Sequence, residues 1–188
     1  MDKTTALIVI DLQEAMRAER SVDWPWANDA APDVAGKLLE AFRASGLPVV
    51  HVHHNTDYPG DGFHPDSPLV VAMPEVAPAP AEPVFIKTGS SGFIGTGLEA
   101  MLRQAGISRL IIVGGEANMC VESTTRMAGN LGFKATVVAD ALVAFPRTLR
   151  DGRVMPPQTV LDMSLANLTS FARITDSAEV LAELTQSE

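Results

Sequence analysis

Runs of apolar, often β-branched residues recur along the chain, separated by longer segments of mixed polarity. The first run, TALIVID at 5–11, is apolar up to its last residue. Such a run is typical of a strand that is buried on both faces of a parallel sheet. On the same grounds we predict strands at 47–54, 82–87, 108–115, 133–141 and, as a short sixth strand, 171–175.

Segments with apolar residues at helical spacing lie between these runs. In the first of them, Leu38 and Phe42 share one face, and Gly46 gives a C-terminal stop signal. The predicted helices are 31–46, 98–106, 119–132, the part of 155–170 after its prolines, and 177–188 with Ser177 as N-cap. Strands that alternate with helices predict an α/β fold with βαβ units and a parallel sheet.

Residues 55–82 do not follow this alternation, because they are rich in proline, glycine and aspartate. A stretch of this length with little periodicity is often a lid, a binding loop or an interface segment. A proline-rich crossing of the surface is an equally good interpretation, and the sequence leaves both open.

Length and charge limit the possible functions. A chain of 188 residues is long enough for one well-packed domain, so we predict a single domain over 1–188. The net charge of −9 argues against nucleic acid and against anionic membrane surfaces as partners. The apolar run at the N-terminus is too short for a signal sequence or a membrane span. We therefore expect a cytoplasmic protein; the charge gives no positive indication of its substrate, and the small-molecule substrate that we expect comes from the family resemblance described below.

The single cysteine of the chain excludes an intrachain disulfide and a site with several cysteine ligands. This residue, Cys120, directly follows the fourth predicted strand, while Asp11 ends the first strand and Lys87 the third. Parallel strands end at one edge of the sheet, and ligands bind there at the point where the strand order reverses. We predict that these three groups meet at that edge, with strands one and four as neighbours.

The chemistry of each group has a catalytic and a structural interpretation. If Asn118 caps the following helix, Cys120 lies in its first turn, where the helix dipole favours a thiolate and free N–H groups could hold an oxyanion. A lone cysteine is more often a small buried hydrophobe. Asp11 could accept the thiol proton or form a structural ion pair. Lys87 could keep Asp11 ionised and lower the pKa of the thiol, or extend toward solvent.

The chain resembles the isochorismatase-like cysteine hydrolases, a family that includes nicotinamidases and N-carbamoylsarcosine amidohydrolase. The matching pieces are ALIVIDLQ, the strand-end lysine with the downstream F-x-x-T, the GGEANMCV segment and DMSLANLTSFARI. The resemblance implies a three-layer α/β/α sandwich with a mainly parallel, Rossmann-like sheet. It also implies a catalytic triad of Cys120, Asp11 and Lys87, and a homo-oligomer, either a dimer or a tetramer.

The same resemblance implies an oxyanion loop just before the cysteine. A non-proline cis peptide would lie between Gly115 and Glu116, and the N–H groups of Glu116 and Cys120 would form the oxyanion hole. Two residues depart from the family's pattern: Ala117 stands where threonine is common, and Glu116 where a small residue is common.

Three histidines in HVHHNTD raise the question of a metal. His51 and His53 alternate on one strand face, and His54 points the other way. The Asp-x-His pair that nicotinamidases of the family use is missing here, although imidazoles can bind zinc without it. We expect no metal and no cofactor, and the missing aspartate also argues against a nicotinamidase.

Three functions follow as hypotheses. The first is hydrolysis of a small-molecule amide or related C–N bond through a thioester on the cysteine. The second is vinyl-ether hydrolysis of the isochorismatase type with Asp11 as general acid. The third is a ligand-binding or assembly module without turnover. For the substrate pocket we predict Trp24, His54, Tyr58 and Phe93.

Overall fold

The computed structural model describes residues 1–185, and its centre is a six-stranded sheet. The strands of this sheet are β1 (Thr5–Ile10), β2 (Val49–His54), β3 (Val84–Lys87), β4 (Arg109–Gly114), β5 (Lys134–Leu142) and β8 (Ala172–Thr175). Their order is β3-β2-β1-β4-β5-β8, and all five neighbouring pairs are parallel. The order reverses between β1 and β4, as the sequence predicts for the position of a ligand crevice.

Helices cover both faces of the sheet. They are α1 (Glu14–Glu19), α2 (Ala31–Ala44), α3 (Leu98–Gln104), α4 (Glu122–Asn130), α5 (Pro157–Leu168) and α6 (Ser177–Thr185). The alternation along β1 shows the two layers: Ile8 and Ile10 belong to one core cluster, and Leu7 and Val9 belong to the other. The first cluster includes residues of α3, α4 and α5, and the second residues of α2 and α6. The predicted three-layer α/β/α sandwich with a parallel sheet is therefore confirmed.

The sequence missed two small elements and misplaced two helix starts. It did not predict α1, nor the hairpin of β6 (Arg147–Thr148) and β7 (Val154–Met155). The helix expected from residue 119 begins at Glu122, because Ala117–Val121 forms a π-helical turn. Ser177 is the first residue of α6 rather than its N-cap, and its hydroxyl donates to Asp140 Oδ2 at 2.6 Å. The end of the predicted helix, 186–188, lies outside the described residues.

The segment 55–82 crosses the surface and is fastened to the core at several points. Pro74–Val76 forms one turn of 3-10 helix, and Met73 and Val76 are fully buried in the cluster under α2. Glu82 binds Arg43 of α2 in a two-pronged ion pair with N–O distances of 2.7 and 2.8 Å. Part of the segment is therefore core, as a structural crossing would be. None of the helices in 1–185 has the length and apolar character that crossing a bilayer requires.

Candidate active site

The carboxyl ends of β1, β3 and β4 bring three reactive side chains into contact. Asp11 follows β1 directly, Lys87 is the last residue of β3, and Cys120 lies in the π-helical turn after β4. Lys87 Nζ is 2.6 Å from Asp11 Oδ2 and donates to Cys120 Sγ at 3.2 Å. The three groups that the sequence places at one edge of the sheet thus form a single contact cluster.

Burial is unequal within this cluster. The side chain of Lys87 is inaccessible to solvent, and that of Asp11 is 2 % exposed. Cys120 is only partly buried and lines an open cavity. Lys87 Nζ also lies 3.4 Å from His54 Nδ1. The sulfur is therefore the most exposed member of the cluster; Asp11 also lines the cavity, and Lys87 lies beneath both.

The backbone around Asp11 is unusual. Its φ is +52°, in the left-handed region that non-glycine residues seldom adopt. The N–H of Asp11 donates to Val52 O at 2.8 Å, and the N–H of Gln13 donates back to Asp11 O at 2.8 Å. These bonds hold the strained turn. Strain of this kind concentrates at functional positions, where the surroundings enforce a side-chain direction.

Electrostatics set the resting proton positions. Burial raises the pKa of Asp11 to about 6, against the lowering effect of the Lys87 charge. Burial, and then the negative charge of Asp11, raise the pKa of Cys120 to about 12, although Lys87 opposes this. At neutral pH the acid is ionised and the thiol keeps its proton. Lys87 lowers the pKa of the thiol, as the sequence suggests, but desolvation and the carboxylate of Asp11 outweigh it, so the net shift is upward.

The loop between β4 and α4 has the shape that the resemblance implied. The Gly115–Glu116 peptide is cis, and the N–H groups of Met119 and Val121 both donate to Glu116 O at 3.1 Å. Gly114 has a φ of +128°, and a Cβ there would lie 2.0 Å from Ile10 O. A side chain at this position would push β4 away from β1.

Asn118 does not cap the helix, contrary to the expectation. The turn begins after Glu116, whose side chain makes no capping bond, and the buried Oδ1 of Asn118 has no hydrogen-bond partner in the described chain. Ala117, the second departure from the family's pattern, is fully buried in the core, and its carbonyl accepts from Ser164 Oγ at 2.9 Å.

The cavity beside Cys120 has a volume of about 290 Å³, a size suited to a small molecule. It is lined by Asp11, Met16, His54, Phe63, Thr88, Gly89, Ser90, Glu116, Met119 and Cys120. Of the four side chains predicted for the substrate pocket, only His54 lines this cavity.

The other three lie elsewhere. Phe93 is 8 % exposed, belongs to the core and stacks on Phe133 with ring centroids 5.7 Å apart. Trp24 packs against the core cluster under α2, and Tyr58 is 76 % exposed. The resemblance places Phe93 at the pocket, and the positions of Trp24 and Tyr58 in the segments after β1 and β2 suggest the same for them, but aromatic residues serve equally as core anchors or surface groups. These three pocket assignments are not met in the described chain.

Sequence reasoning missed the residue that positions His54. Gln13 is fully buried, its Nε2 donates to His54 O at 3.1 Å and to Val70 O at 2.7 Å, and its Oε1 accepts from His54 N at 2.8 Å. A glutamine that directly follows a strand-end aspartate and leucine was the available signal. Its amide ties the end of β2 to the turn after β1 and so fixes one wall of the cavity.

The remaining histidines serve the fold. His51 and His53 lie on the same side of β2, with ring centroids 6.2 Å apart, and His51 Nε2 bonds Glu82 Oε2 at 2.9 Å. Burial lowers the pKa of both rings, that of His53 to about 4. In the part of the chain that the structure describes, no group of three or more His, Cys, Asp or Glu side chains could hold a metal ion.

Comparison with known proteins agrees with this architecture. The family model of the isochorismatase domain matches residues 5–179. The uncharacterised isochorismatase family protein YrdC of Bacillus subtilis is 33 % identical over 183 residues, which is 96 % of either chain.

Solved structures give the same result. A structure from Chromobacterium violaceum, described as a hydrolase of the isochorismatase family, superposes with a TM-score of 0.92 at 38 % identity and covers 98 % of this chain and 95 % of its own. The N-carbamoylsarcosine amidase of Thermoplasma acidophilum superposes with a TM-score of 0.72 at 27 % identity, covering 92 % of this chain and 96 % of its own. The chain belongs to the isochorismatase family of hydrolases.

Proposed function

We propose that the protein hydrolyses an amide or related C–N bond of a small molecule, with Cys120 as nucleophile and a thioester as intermediate. The observation that carries this proposal is the position of Lys87 Nζ, 2.6 Å from Asp11 Oδ2 and 3.2 Å from Cys120 Sγ, below a cavity that the sulfur lines. An acid, a base and a nucleophile in mutual contact are the parts that covalent acyl transfer needs.

The resting proton positions define the first half of the reaction. Asp11, ionised at neutral pH, takes the proton from the Cys120 thiol as the sulfur attacks the substrate carbonyl. The buried ammonium of Lys87 stabilises the thiolate and the ionised acid in turn, because it contacts both groups. The N–H groups of Glu116 and Cys120 receive the negative charge on the carbonyl oxygen.

The second half returns the site to its starting state. Asp11 gives its proton to the leaving nitrogen, the C–N bond breaks, and the amine departs from the acyl-thioester on Cys120. Asp11 then takes a proton from a water molecule that attacks the thioester. The C–S bond breaks, the acid product leaves, and the proton on Asp11 returns to the thiolate.

Two features favour amide hydrolysis over the isochorismatase reaction. Vinyl-ether hydrolysis needs a general acid and no nucleophile, whereas Cys120 lies in contact with Lys87. Isochorismate also carries two carboxylates, and in the described chain no cationic side chain lines the cavity. The similarity to an N-carbamoylsarcosine amidase further supports a C–N bond as the target. Release of pyruvate from isochorismate by the purified protein would reverse this preference.

The test is a Cys120→Ala variant assayed beside wild type on a panel of primary amides and carbamoylated amines. We expect turnover to fall by at least about 10⁴-fold on any amide that wild type cleaves, because the covalent step is lost. Wild type should also accumulate an acyl adduct on its single cysteine when quenched during turnover, visible by intact mass.

Met163→Ala is the matched control for this test. Met163 is an exposed side chain on α5 that does not line the cavity of Cys120. This variant should keep wild-type turnover. Undiminished cleavage by Cys120→Ala would refute the role of Cys120 as nucleophile. A folded wild-type protein that cleaves no member of the panel would favour the non-catalytic binding module.

A further inference from the structure

The charged groups that line the cavity of Cys120 are both carboxylates. They belong to Asp11 and Glu116, while Lys87, the cation that balances Asp11, is fully buried and does not reach the lining. Among the described residues, His54 provides the one nitrogen base in the lining. Burial, and then the nearby Lys87 charge, lower its pKa, so its ring is neutral at physiological pH. A substrate in this cavity therefore meets acidic side chains and no exposed cation of the described chain.

Only one of the two carboxylate oxygens of Glu116 accepts a hydrogen bond from the described protein. Its Oε2 accepts a short hydrogen bond from Arg147 Nη2, and the Glu116 side chain is 21 % exposed. Arg147 lines another cavity and does not line the cavity of Cys120. The second oxygen, Oε1, accepts no hydrogen bond from residues 1–185. A partly desolvated carboxylate oxygen without a donor is a strong acceptor for a charged N–H group.

Charges of both signs surround Glu116. Desolvation of the part of the Glu19 side chain that is covered raises the pKa of Glu19, and the charges of Glu116 and Asp61 raise it further, whereas Arg147, the ion-pair partner of Glu116, lowers it. The whole chain carries a net charge of −9. Clustered carboxylates at a cavity raise the local concentration of cations and repel anions.

We propose that Glu116 determines substrate charge: the cleaved amide carries a protonated amine or guanidinium, which donates to Glu116 Oε1 while the amide carbonyl lies at Cys120. This inference rests on the proposed amide hydrolysis and names its substrate class. Alanine or glycine at position 116 would leave the cavity without this carboxylate as a counter-charge for the cation.

The first test compares linear primary amides of matched length that end in an ammonium, a methyl or a carboxylate group, assayed at about pH 8, where Asp11 is ionised. For wild type we expect kcat/KM for the ammonium amide to exceed that for the methyl amide at least about tenfold, with the carboxylate amide slowest. In Glu116→Gln the ratio of ammonium to methyl amide should fall to about one. A wild-type preference for the methyl or carboxylate amide would overturn the proposal without any variant.

Glu99→Gln is the matched control. Glu99 forms an ion pair with Arg103 on the surface of α3, as Glu116 does with Arg147, but it does not line the cavity. The same change in net charge at Glu99 should leave the ammonium-to-methyl ratio as in wild type. An equal fall of the ratio in both variants would show that net charge alone attracts the cation, and the assignment to Glu116 would be wrong.

The second test needs no turnover. Bromoethylammonium, iodoacetamide and iodoacetate each alkylate the single cysteine: the sulfur displaces the halide, its proton goes to Asp11, and a thioether and a halide ion form. With rates normalised to those of a free thiol, bromoethylammonium should be the fastest on wild type and iodoacetate the slowest. The ratio of bromoethylammonium to iodoacetamide should fall about fivefold or more in Glu116→Gln.

The two tests separate the two proposals. If no amide is cleaved, the hydrolase proposal fails, and the alkylation ratio still decides whether Glu116 selects cations. If amides are cleaved but neither ratio changes in a folded Glu116→Gln protein, the charge selection fails and the hydrolase proposal stands.

Discussion

Two carboxylates that contact buried basic groups, Asp11 and Glu82, have pKa values that are shifted in opposite directions. Burial dominates at Asp11 and raises its pKa to about 6, even though Lys87 lies 2.6 Å away. Burial would also raise the pKa of Glu82, but the hydrogen bonds from Arg43, from a backbone N–H and from His51 lower it to about 2. Two differences separate the sites: Asp11 is more completely buried, and Glu82 has more hydrogen-bond donors.

The difference in hydrogen bonding indicates that the cluster around Glu82 is structural and that the cluster around Asp11 can transfer protons. Glu82 accepts from four nitrogens at 2.7 to 2.9 Å, so both of its oxygens are satisfied and the proline-rich segment is fixed to α2 and β2. Asp11 has its ion pair to Lys87, while its buried Oδ1 lacks a hydrogen bond of ordinary length in the described chain. A fully bonded carboxylate stabilises, whereas an incompletely bonded one near neutral pKa can exchange a proton.

The same carboxylate-to-amide change should therefore have opposite consequences at the two positions. In Asp11→Asn, we expect kcat/KM for a cleaved amide to fall by at least about 10³-fold, because the group that carries protons between sulfur, nitrogen and water is lost. The amide keeps the size of the side chain and an acceptor for Lys87. Steady-state kinetics, with circular dichroism to confirm the fold, would measure this. A folded variant with more than about a tenth of wild-type activity would remove Asp11 from the mechanism.

Glu82→Gln should lose stability and keep activity. We expect the free energy of unfolding to fall by about 2 kcal/mol near neutral pH, because Arg43 and His51 lose a charged partner that solvent screens only in part. Turnover should be within about twofold of wild type, since Glu82 lies outside the cavity. Urea denaturation at two pH values would measure the loss.

The pH dependence of this loss of stability tests whether the charge of Glu82 causes it. The folded pKa of Glu82 is lowered, so its contribution is present above the unfolded value of about 4.5 and disappears as the pH falls toward about 2. The difference between wild type and Glu82→Gln should shrink over that range. A loss of stability that stays constant down to low pH would mean that packing, and not charge, holds the segment.

The fold was predictable because its signals are local. Short β-branched apolar runs such as 6–10 and 110–113 favour a strand buried on both faces, and their alternation with amphipathic helices favours a parallel sheet. Boundaries were predicted less well where tertiary contacts decide them. The turn Ala117–Val121 is π-helical, and its preceding residue makes no side-chain capping bond, so Asn118 was a misleading signal.

The reactive residues of the site could be predicted from the sequence, whereas the residues that line its cavity could not. Asp11, Lys87 and Cys120 each stand at a strand end, and the end of a parallel strand fixes the edge of the sheet to which a residue belongs. The direction of an aromatic side chain in a loop depends on contacts with distant segments, so Tyr58 and Phe93 could not be placed. The protonation states of these groups could not be predicted from the sequence either, because their desolvation depends on burial by several elements together.

The smallest expected effect concerns the acid limb of the pH profile. Asp11 must be ionised to accept the thiol proton, so kcat/KM should rise with pH and reach half its plateau near the pKa of about 6. Glu82→Gln should keep this midpoint, since Glu82 does not contribute to the pKa of Asp11. Glu116→Gln should move it to lower pH, because the negative charge of Glu116 raises that pKa. Profiles recorded with a neutral amide avoid titration of the substrate. A midpoint that shifts in Glu82→Gln and not in Glu116→Gln would contradict this prediction and show that Asp11 and Glu82 are not independent.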